Sequence, residues 1–302
     1  IVPHVSTPWT VIGYTTAEQT RATGLPAGIP VGCGTIDAFS GLIGSGGQDA
    51  GDICDVSGTS EIIGLIRDAP AAPFEGFLCY PLVNDSSVVF GVTRAAGDSI
   101  DWYVRNVARA DDVTAWFRAF EERQLDARPS NGGPVLFWPY LDGERSPLWN
   151  ADLRGMFIGL DLATDTDTMA RAVFEGVAMS VRHNIELLGE RTGTMPKRMW
   201  VGGGTARLQL FNQIKADVTG LDVYVSREYN STVRGARAMM DVALGRQPDV
   251  LTAARSLIGT PRVIHPRDEW RRYYDRLMDS YRLVPDLLTP VFANFAVARH
   301  GR

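Results

Sequence analysis

One long stretch of the chain carries apolar residues at the spacing of a helix. Between residues 165 and 189 the apolar positions fall on one helical face, and charged residues fill the others. The pattern therefore predicts an amphipathic helix. A second stripe near the C-terminus predicts another helix that packs through aromatic residues. The first face consists of Met169, Val173, Val177, Val181, Ile185 and Leu188, and the second of Trp270, Tyr273, Leu277 and Tyr281.

The first third of the chain shows short β-type runs separated by turns. Residues 53–56 and 61–66 surround a turn at residues 57–60, and this arrangement predicts a β-hairpin. Another pair of apolar runs predicts a second hairpin around residues 84–86.

Strands and helices alternate further along the chain. A Pro/Gly-rich loop at residues 129–134 precedes a predicted strand, and residues 197–220 are typical of a strand, a glycine turn and a helix. A strand at residues 222–226 and a helix at residues 232–245 follow. Hairpins followed by this alternation predict a mixed α/β domain with a central sheet and helices on its faces.

The composition is that of a globular protein and argues against two classes of partner. The net charge is −5 and the pI about 5.5, so no basic surface for nucleic acid is expected. No apolar run reaches the roughly 18 residues of a membrane helix. The first residues lack the pattern of a signal peptide and are typical of the middle of a protein, so we expect the chain to be a piece of something longer.

The three cysteines predict a reducing compartment. Cys33, Cys54 and Cys79 are odd in number, form no C-x-x-C pair and have apolar neighbours. We therefore expect reduced, buried thiols in a cytoplasmic protein.

Several common catalytic motifs are missing. Lys197 and Lys215 are the only lysines, and neither completes a G-x-x-x-x-G-K-[ST] loop. In "GGGTAR", Arg207 stands where the third glycine of G-x-G-x-x-G belongs. The four histidines are scattered and form neither a metal-binding spacing nor a nucleophile triad.

Two short segments in the first third could take part in chemistry. Asp37 stands among glycines and apolar residues in "VGCGTIDAFSG", where poor solvation would suit a base, although it could equally cap the next helix. Gly58, Thr59 and Ser60 form a predicted turn whose amides and hydroxyls could hold an anion. A tight hairpin needs glycine for its geometry alone, so this turn does not by itself indicate a ligand site.

A third candidate lies between a predicted strand and a predicted helix. Gly202, Gly203 and Gly204, followed by Thr205, would clear room for a planar or phosphorylated ligand. The start of the next helix would add its partial positive charge. A close strand-to-helix turn also needs glycine, so the purely structural alternative stays open.

Taken in order, these segments resemble the C-terminal half of the FGGY carbohydrate kinases, in the actin-like ATPase superfamily. The passage "GLPAGIPVGCGTIDAFSGLIGSGGQDAGDICDVSGTSEI" resembles that family's G-L-P-x-G-x-P-V…D-x-x-x-G…G-T-S passage. "FWPYLDGERSPLWNADLRGMFIGL" is similar to the P-Y-L-x-G-E-R-x-P block of xylulokinase-like members. "VGGGTARLQLFNQIKADVTGLDV" resembles the segment G-G-G…Q-x-x-A-D-x-x-G. The resemblance covers most of the chain and implies an actin-like (ribonuclease H-like) α/β fold.

The resemblance implies an ATP-dependent sugar kinase. It makes Asp37 the general base for a sugar hydroxyl and leaves open a water-mediated contact from Asp37 to Mg²⁺. Thr59, with Gly58 and Ser60, would meet the transferring phosphate. The implied nucleotide contacts are Gly202, Gly203, Gly204 and Thr205, with Gly97 and Asp101 on the adenosine side.

The implied acceptor is a ketopentose such as xylulose, or a related polyol, and the implied cofactors are ATP and Mg²⁺. The alternative is a non-catalytic actin-like module that binds nucleotide, in which Asp37 would have no role as a base. A homodimer is left open, and neither nucleic acid nor membrane is expected as a partner.

The chain departs from the family pattern in two places. The family's E-A-A-x-G-A-A type segment corresponds to residues 230–236, where Gly235 and Ala236 are retained and the acidic residue is not. The family's N-terminal domain is also missing. Residues 1–48 resemble the tail of that sugar-binding domain, and residues 49–302 the nucleotide-binding domain. We expect the missing domain to be a required partner and the chain alone to be inactive or nearly so.

Overall fold

The computed structural model describes residues 4–83, 85–127 and 133–300. Asn84, in the second predicted turn, and loop residues 129–132 lie outside these described residues. The strands are β1 (Val11–Tyr14), β2 (Pro30–Gly32), β3 (Asp52–Ser57), β4 (Glu61–Arg67), β5 (Leu78–Pro81), β6 (Ser87–Val92), β7 (Leu136–Trp138), β8 (Met156–Ile158), β9 (Arg198–Gly202), β10 (Asp222–Val225) and β11 (Arg262–Ile264). The helices are α1 (Ala17–Thr23), α2 (Asp37–Ser45), α3 (Gly97–Asn106), α4 (Val113–Gln124), α5 (Thr166–Thr192), α6 (Gln209–Thr219), α7 (Ser231–Ala243), α8 (Val250–Ser256) and α9 (Asp268–His300).

Within the described ranges, seven strands form one mixed sheet in the order β11-β10-β9-β3-β4-β6-β5. Strands β10, β9 and β3 are parallel to one another, and the remaining neighbours are antiparallel. Both hairpins predicted from the sequence are present, as β3–β4 and β5–β6. Because β3 and β9 are parallel, their carboxyl ends lie side by side at one edge of the sheet.

Helices cover both faces of this sheet, as predicted. On one face, the side chains of α5 and α6 pack with alternate residues of β3, β4 and β9, among them Ile53 and Met199. On the other face, α2, α7 and α8 pack on the intervening residues, including Cys54. Alternate side chains of a strand point to opposite faces, so Ile53 and Cys54 belong to different cores.

Helix α5 is more buried than its amphipathic pattern predicts. It lies between the sheet and other helices, so charged residues such as Arg171 and Glu175 are buried as well. These two form an ion pair, in which the Arg171 Nε atom donates to Glu175 Oε1 at 2.7 Å. His183 is also buried, and burial lowers its pKa.

The aromatic stripe of α9 packs on the core with a small shift from the predicted positions. Trp270 and Tyr281 are buried, whereas Tyr273 and Leu277 are only partly buried. The fully buried residues between them are Tyr274 and Met278.

The first residues form a small two-stranded sheet of their own. Strands β1 and β2 pair antiparallel, with α1 between them. Its apolar side chains Ile12, Tyr14 and Val31 are exposed. Cys33 follows β2 and is exposed too, so the prediction that all three thiols are buried is wrong for Cys33; Cys54 is buried and Cys79 is partly so.

Candidate functional site

The carboxyl ends of β3 and β9 meet at a glycine turn. Val56 pairs with Gly202, and the next residue, Gly203, has a φ of +86°. A Cβ at Gly203 would lie 2.2 Å from the carbonyl oxygen of Ser57. The left-handed backbone and this close approach both require glycine at position 203.

The tip of the β3–β4 hairpin joins the start of α3. The Gly97 amide donates to the Gly58 carbonyl oxygen at 3.0 Å, and the Ala96 amide donates to Thr59 at 3.0 Å. A Cβ at Gly97 would lie 2.2 Å from the Gly58 oxygen and 3.5 Å from Cγ2 of Thr205. The structure thus brings the hairpin tip, the start of α3 and the turn after β9 to one place.

The hairpin tip directs its carbonyl groups toward α3. In the described part of the chain, the amides of Thr59 and Ser60 donate to no protein acceptor, and Gly58 and Thr59 are exposed. Successive amides that have no internal partner in a tight turn are a known way to bind an anion.

Three buried hydroxyl groups around this junction have no hydrogen-bond partner among the described residues. They belong to Ser57, Thr205 and Ser231. Ser231 lies beside the glycine turn, since a Cβ at Gly202 would be 2.7 Å from its Oγ atom. Buried polar groups usually have partners, so these hydroxyls indicate a place where polar groups of a ligand or water fit.

The sequence patterns did not indicate two of these hydroxyl groups, those of Ser57 and Ser231. The sequence places Ser57 in the predicted turn at residues 57–60, and a turn position gives no sign of burial. Ser231 lies in the segment where the family's acidic residue is missing, and that departure from the motif was the available signal.

Asp37 lies at the same edge of the sheet as the glycine turns. A Cβ at Gly41, within α2, would be 3.2 Å from Val56, and one at Gly47, two residues after α2 ends, would be 2.6 Å from Cys54 Sγ. Helix α2 therefore runs antiparallel to β3. Asp37 precedes Gly41 by one turn, or about 6 Å at 1.5 Å per residue, which places it beyond the carboxyl end of β3.

The solvation of Asp37 differs from the expectation. It is the first residue of α2 and is exposed, because the apolar neighbour Phe39 turns inward to the core while Asp37 stays at the open end of the helix. Its Oδ1 atom accepts from the amide of Ala38 at 2.7 Å. Ile36 occupies the N-cap position, so Asp37 is not the capping residue either.

The turn after β9 does not lead directly into an α-helix. A 3₁₀ turn spans Gly204–Arg207, and α6 begins at Gln209. The amide of Leu210 in its first turn donates to Glu121 Oε1 at 2.8 Å. A protein carboxylate therefore already occupies the start of α6, and the expectation that this helix offers its positive end to a ligand is wrong.

The remaining candidates differ in their surroundings. Gly204 is open, with nothing within 4 Å of a Cβ placed there. Asp101 lies one turn beyond Gly97 on α3, where its carboxylate pairs with Arg105 Nε at 2.7 Å on the surface. Asp101 is thus further from the junction than Gly97 is.

The described residues contain neither a metal-binding cluster nor a membrane-spanning helix. No group of three or more histidine, cysteine, aspartate or glutamate side chains is placed to hold a metal ion in residues 4–83, 85–127 and 133–300. Over the same ranges, each helix is too short or too polar to cross a membrane.

Comparison with known proteins decides the family. The sequence profile described as "FGGY family of carbohydrate kinases, C-terminal domain" matches residues 55–243, which is more than half of the chain. The chain belongs to the FGGY family of carbohydrate kinases.

Two curated FGGY relatives carry names of sugar kinases. The chain is similar to the gluconokinase of Bacillus subtilis (strain 168), with 29% identity over 88% of this chain and 53% of that protein. It is also similar to the xylulose kinase of the same organism, with 28% identity over 90% of this chain and 54% of that protein. The chain thus spans about half the length of these relatives.

The fold matches that of solved FGGY kinases. The ligand-bound xylulose kinase from Lactobacillus acidophilus superposes with a TM-score of 0.84 over 97% of this chain and 59% of that chain, at 24% identity. The mixed sheet with helices on both faces is therefore an actin-like ATPase fold, as the sequence predicted.

Proposed function

We propose that this chain is the nucleotide-binding half of an ATP-dependent sugar kinase. The observation that carries the proposal is the junction of the 58–60 tip, Gly97 and the 203–205 turn, with Asp37 at the same edge of the sheet. A purely structural explanation would account for the tight glycines. That explanation would not account for the exposed amides of the tip or for the hydroxyl groups of Ser57 and Ser231, which have no partner among the described residues.

The proposed reaction moves the γ-phosphoryl group of ATP to a sugar hydroxyl. Asp37 takes the proton from that hydroxyl as its oxygen attacks phosphorus, a role that contributes about 10²–10⁴-fold. The amides of Thr59 and Ser60 and the Thr59 hydroxyl stabilise the charge on the transferring phosphoryl oxygens. Gly202, Gly203 and Gly204 let the nucleotide approach the backbone closely.

Magnesium fits this donor set as an ion that arrives with the nucleotide. Mg²⁺ keeps several waters and is commonly bound by phosphates plus one or two carboxylates. Asp37 is exposed at the site and would reach the ion through water. The ion would neutralise phosphate charge during transfer.

A second domain completes the proposed enzyme. The chain spans about half the length of its curated relatives, and the β1–β2 unit exposes Ile12, Tyr14 and Val31. We propose that an N-terminal sugar-binding domain of the same protein covers this apolar surface and closes over Asp37, which would reduce the exposure of that carboxylate.

The proposed acceptor is a ketopentose such as xylulose, or a related polyol. The names of the relatives, gluconokinase and xylulose kinase, support a small polyhydroxylated substrate. The residues that would choose among such substrates belong mainly to the second domain.

The experiment compares the intact protein with the 302-residue chain. Each is mixed with ATP, Mg²⁺ and a panel of pentuloses, gluconate and polyols, and ADP release is followed; ADP binding is measured by calorimetry. We expect sugar-dependent turnover from the intact protein only and ADP binding by both. Turnover by the chain alone at about 1–100 s⁻¹, the usual range of kinases, would overturn the two-domain proposal, and a chain that binds no ADP would overturn the nucleotide site.

A further inference from the structure

A lysine is buried on the α6 side of the β3–β4 hairpin. Lys215, on α6, is 1% exposed. Its Nζ atom donates to Oδ2 of Asp55 on β3 and to Oε1 of Glu61 on β4, and both carboxylates are buried. Glu61 pairs directly with Ser57, and Asp55 precedes Ser57 by two residues. The ammonium group therefore ties together the two strands that carry the 58–60 tip.

The family motifs do not account for this contact. Lys215 is one of two lysines in the chain and falls on one of the unspecified positions of Q-x-x-A-D-x-x-G. Asp55 and Glu61 flank the G-T-S residues but are not positions that the motif specifies. The motifs therefore give no role to any of the three residues.

Stability is a weak explanation for these buried charges. Replacing a buried ion pair by apolar side chains of similar size is often neutral or stabilising, because desolvation offsets the attraction. The Phe211 ring lies 4.5 Å from Lys215 Nζ and limits where the ammonium group can sit. The better-supported role of such a group is to fix a particular arrangement of the elements it joins.

Burial and mutual contact act together on the charges of this cluster. Burial, and then the neighbouring Glu61, raise the pKa of Asp55 well above its usual value. Although burial opposes the charge of the ammonium group, Asp55 and Glu61 raise the pKa of Lys215. The ammonium group therefore offsets carboxylate charge beneath the tip that would meet phosphate.

We propose that Lys215 is a positioning residue for phosphate transfer, acting through Asp55 and Glu61. The proposal rests on the function proposed above. Helix α6 follows the 203–205 turn, and the hairpin carries the 58–60 tip. The bridge from Lys215 to the two strands thus holds these two parts of the nucleotide site at a fixed separation.

The first test replaces each lysine of the intact protein by methionine. Lys215→Met removes the bridge and is expected to lower kcat/KM for ATP about 10- to 100-fold, the effect of a misplacement of about 1 Å. Its affinity for the ATP analogue AMP-PNP, measured by calorimetry, falls as well. Lys197→Met is the control, because Lys197 is exposed and lies at the opposite end of β9. Equal kcat/KM values for the two variants would overturn the proposal.

The second test keeps Lys215 in contact with Asp55, so that loss of folding does not obscure the result. Glu61→Gln retains an oxygen that accepts from Lys215, whereas Glu61→Leu does not, and both leave the pair of Lys215 and Asp55 intact. We expect kcat/KM within about 3-fold of wild type for Glu61→Gln and at least about 10-fold lower for Glu61→Leu, at similar unfolding temperatures. Identical kinetics for the two variants would show that the bridge is only structural.

Failure of the kinase proposal would give different results from failure of the positioning role. A wild-type protein that binds AMP-PNP but phosphorylates no sugar would contradict the kinase function. The AMP-PNP affinities would still rank the variants, with Glu61→Leu weaker than Glu61→Gln if the positioning role is correct and equal to it if that role is wrong.

Discussion

The amide of Gly97 donates to the carbonyl oxygen of Gly58 at 3.0 Å, and this hydrogen bond fastens the start of α3 to the tip of the β3–β4 hairpin. The two backbones are so close that a Cβ at Gly97 would lie 2.2 Å from the Gly58 oxygen. The contact fixes the carbonyl side of the tip and leaves its amides free to face a ligand.

Gly97→Ala is expected to weaken both the fold and the nucleotide site. Alanine is the better helix former by about 1 kcal/mol, but the clash with Gly58 forces the tip away and costs about 1–3 kcal/mol. We expect a lower unfolding temperature and a KM for ATP raised about 10-fold. The control is Gly133→Ala, where nothing lies within 4 Å of the new Cβ. A Gly97→Ala protein with wild-type KM would show that the tip does not meet ATP.

Gly203 and Gly204 are adjacent but are expected to respond differently to alanine. Gly203→Ala places an alanine at a positive φ and puts its Cβ 2.2 Å from the Ser57 carbonyl oxygen. The left-handed backbone of the alanine alone costs about 1–2 kcal/mol. Gly204→Ala meets no protein atom, so stability should change by less than about 0.5 kcal/mol. If the nucleotide packs on this turn, ADP binding by calorimetry should still weaken several-fold. Unchanged ADP affinity in Gly204→Ala would place the nucleotide elsewhere.

Glu144 is expected to make stability depend on pH. It is buried, and burial raises its pKa from 4.5 to about 8 although its Oε1 atom accepts from the amides of Arg94 and Arg145. The folded state therefore holds a proton that the unfolded chain releases above about pH 4.5. Its contribution to stability is complete below that pH and is lost as the pH rises to about 8, in total on the order of a few kcal/mol.

Chemical denaturation between pH 4.5 and 8.5 measures this loss. Glu144→Gln keeps an oxygen that accepts from the two amides but has no titrating proton, so its stability should vary less over the same range. Parallel pH profiles for the two proteins would mean that Glu144 is ionised in the folded state.

Short-range patterns predicted most of the fold. The hairpins β3–β4 and β5–β6, the long helix α5 and the turn after β9 all follow from local periodicity and turn residues. The burial of Arg171 and Glu175 does not follow from local patterns, because it depends on neighbouring helices that come from distant parts of the chain.

The sequence predicted only part of the candidate site. The glycines of the tip and of the turn after β9 stood out, but spacing could not show that Gly97 touches Gly58. Asp37 was expected to be poorly solvated because of its apolar sequence neighbours, yet those neighbours turn into the core while the helix start stays open. Lys215 was missed because its partner Asp55 is 160 residues away.

Asp37→Asn in the intact protein tests the central claim most directly, with Asp268→Asn as the control, since Asp268 is likewise an exposed aspartate that begins a helix. Asp268 follows β11, whose Ile264 pairs with Val223 near the start of β10, so it lies at the opposite edge of the sheet. We predict that Asp37→Asn lowers kcat for the sugar substrate by about 10²–10⁴-fold while ADP affinity stays at the wild-type value, and that Asp268→Asn changes neither. Wild-type turnover by Asp37→Asn would contradict the account.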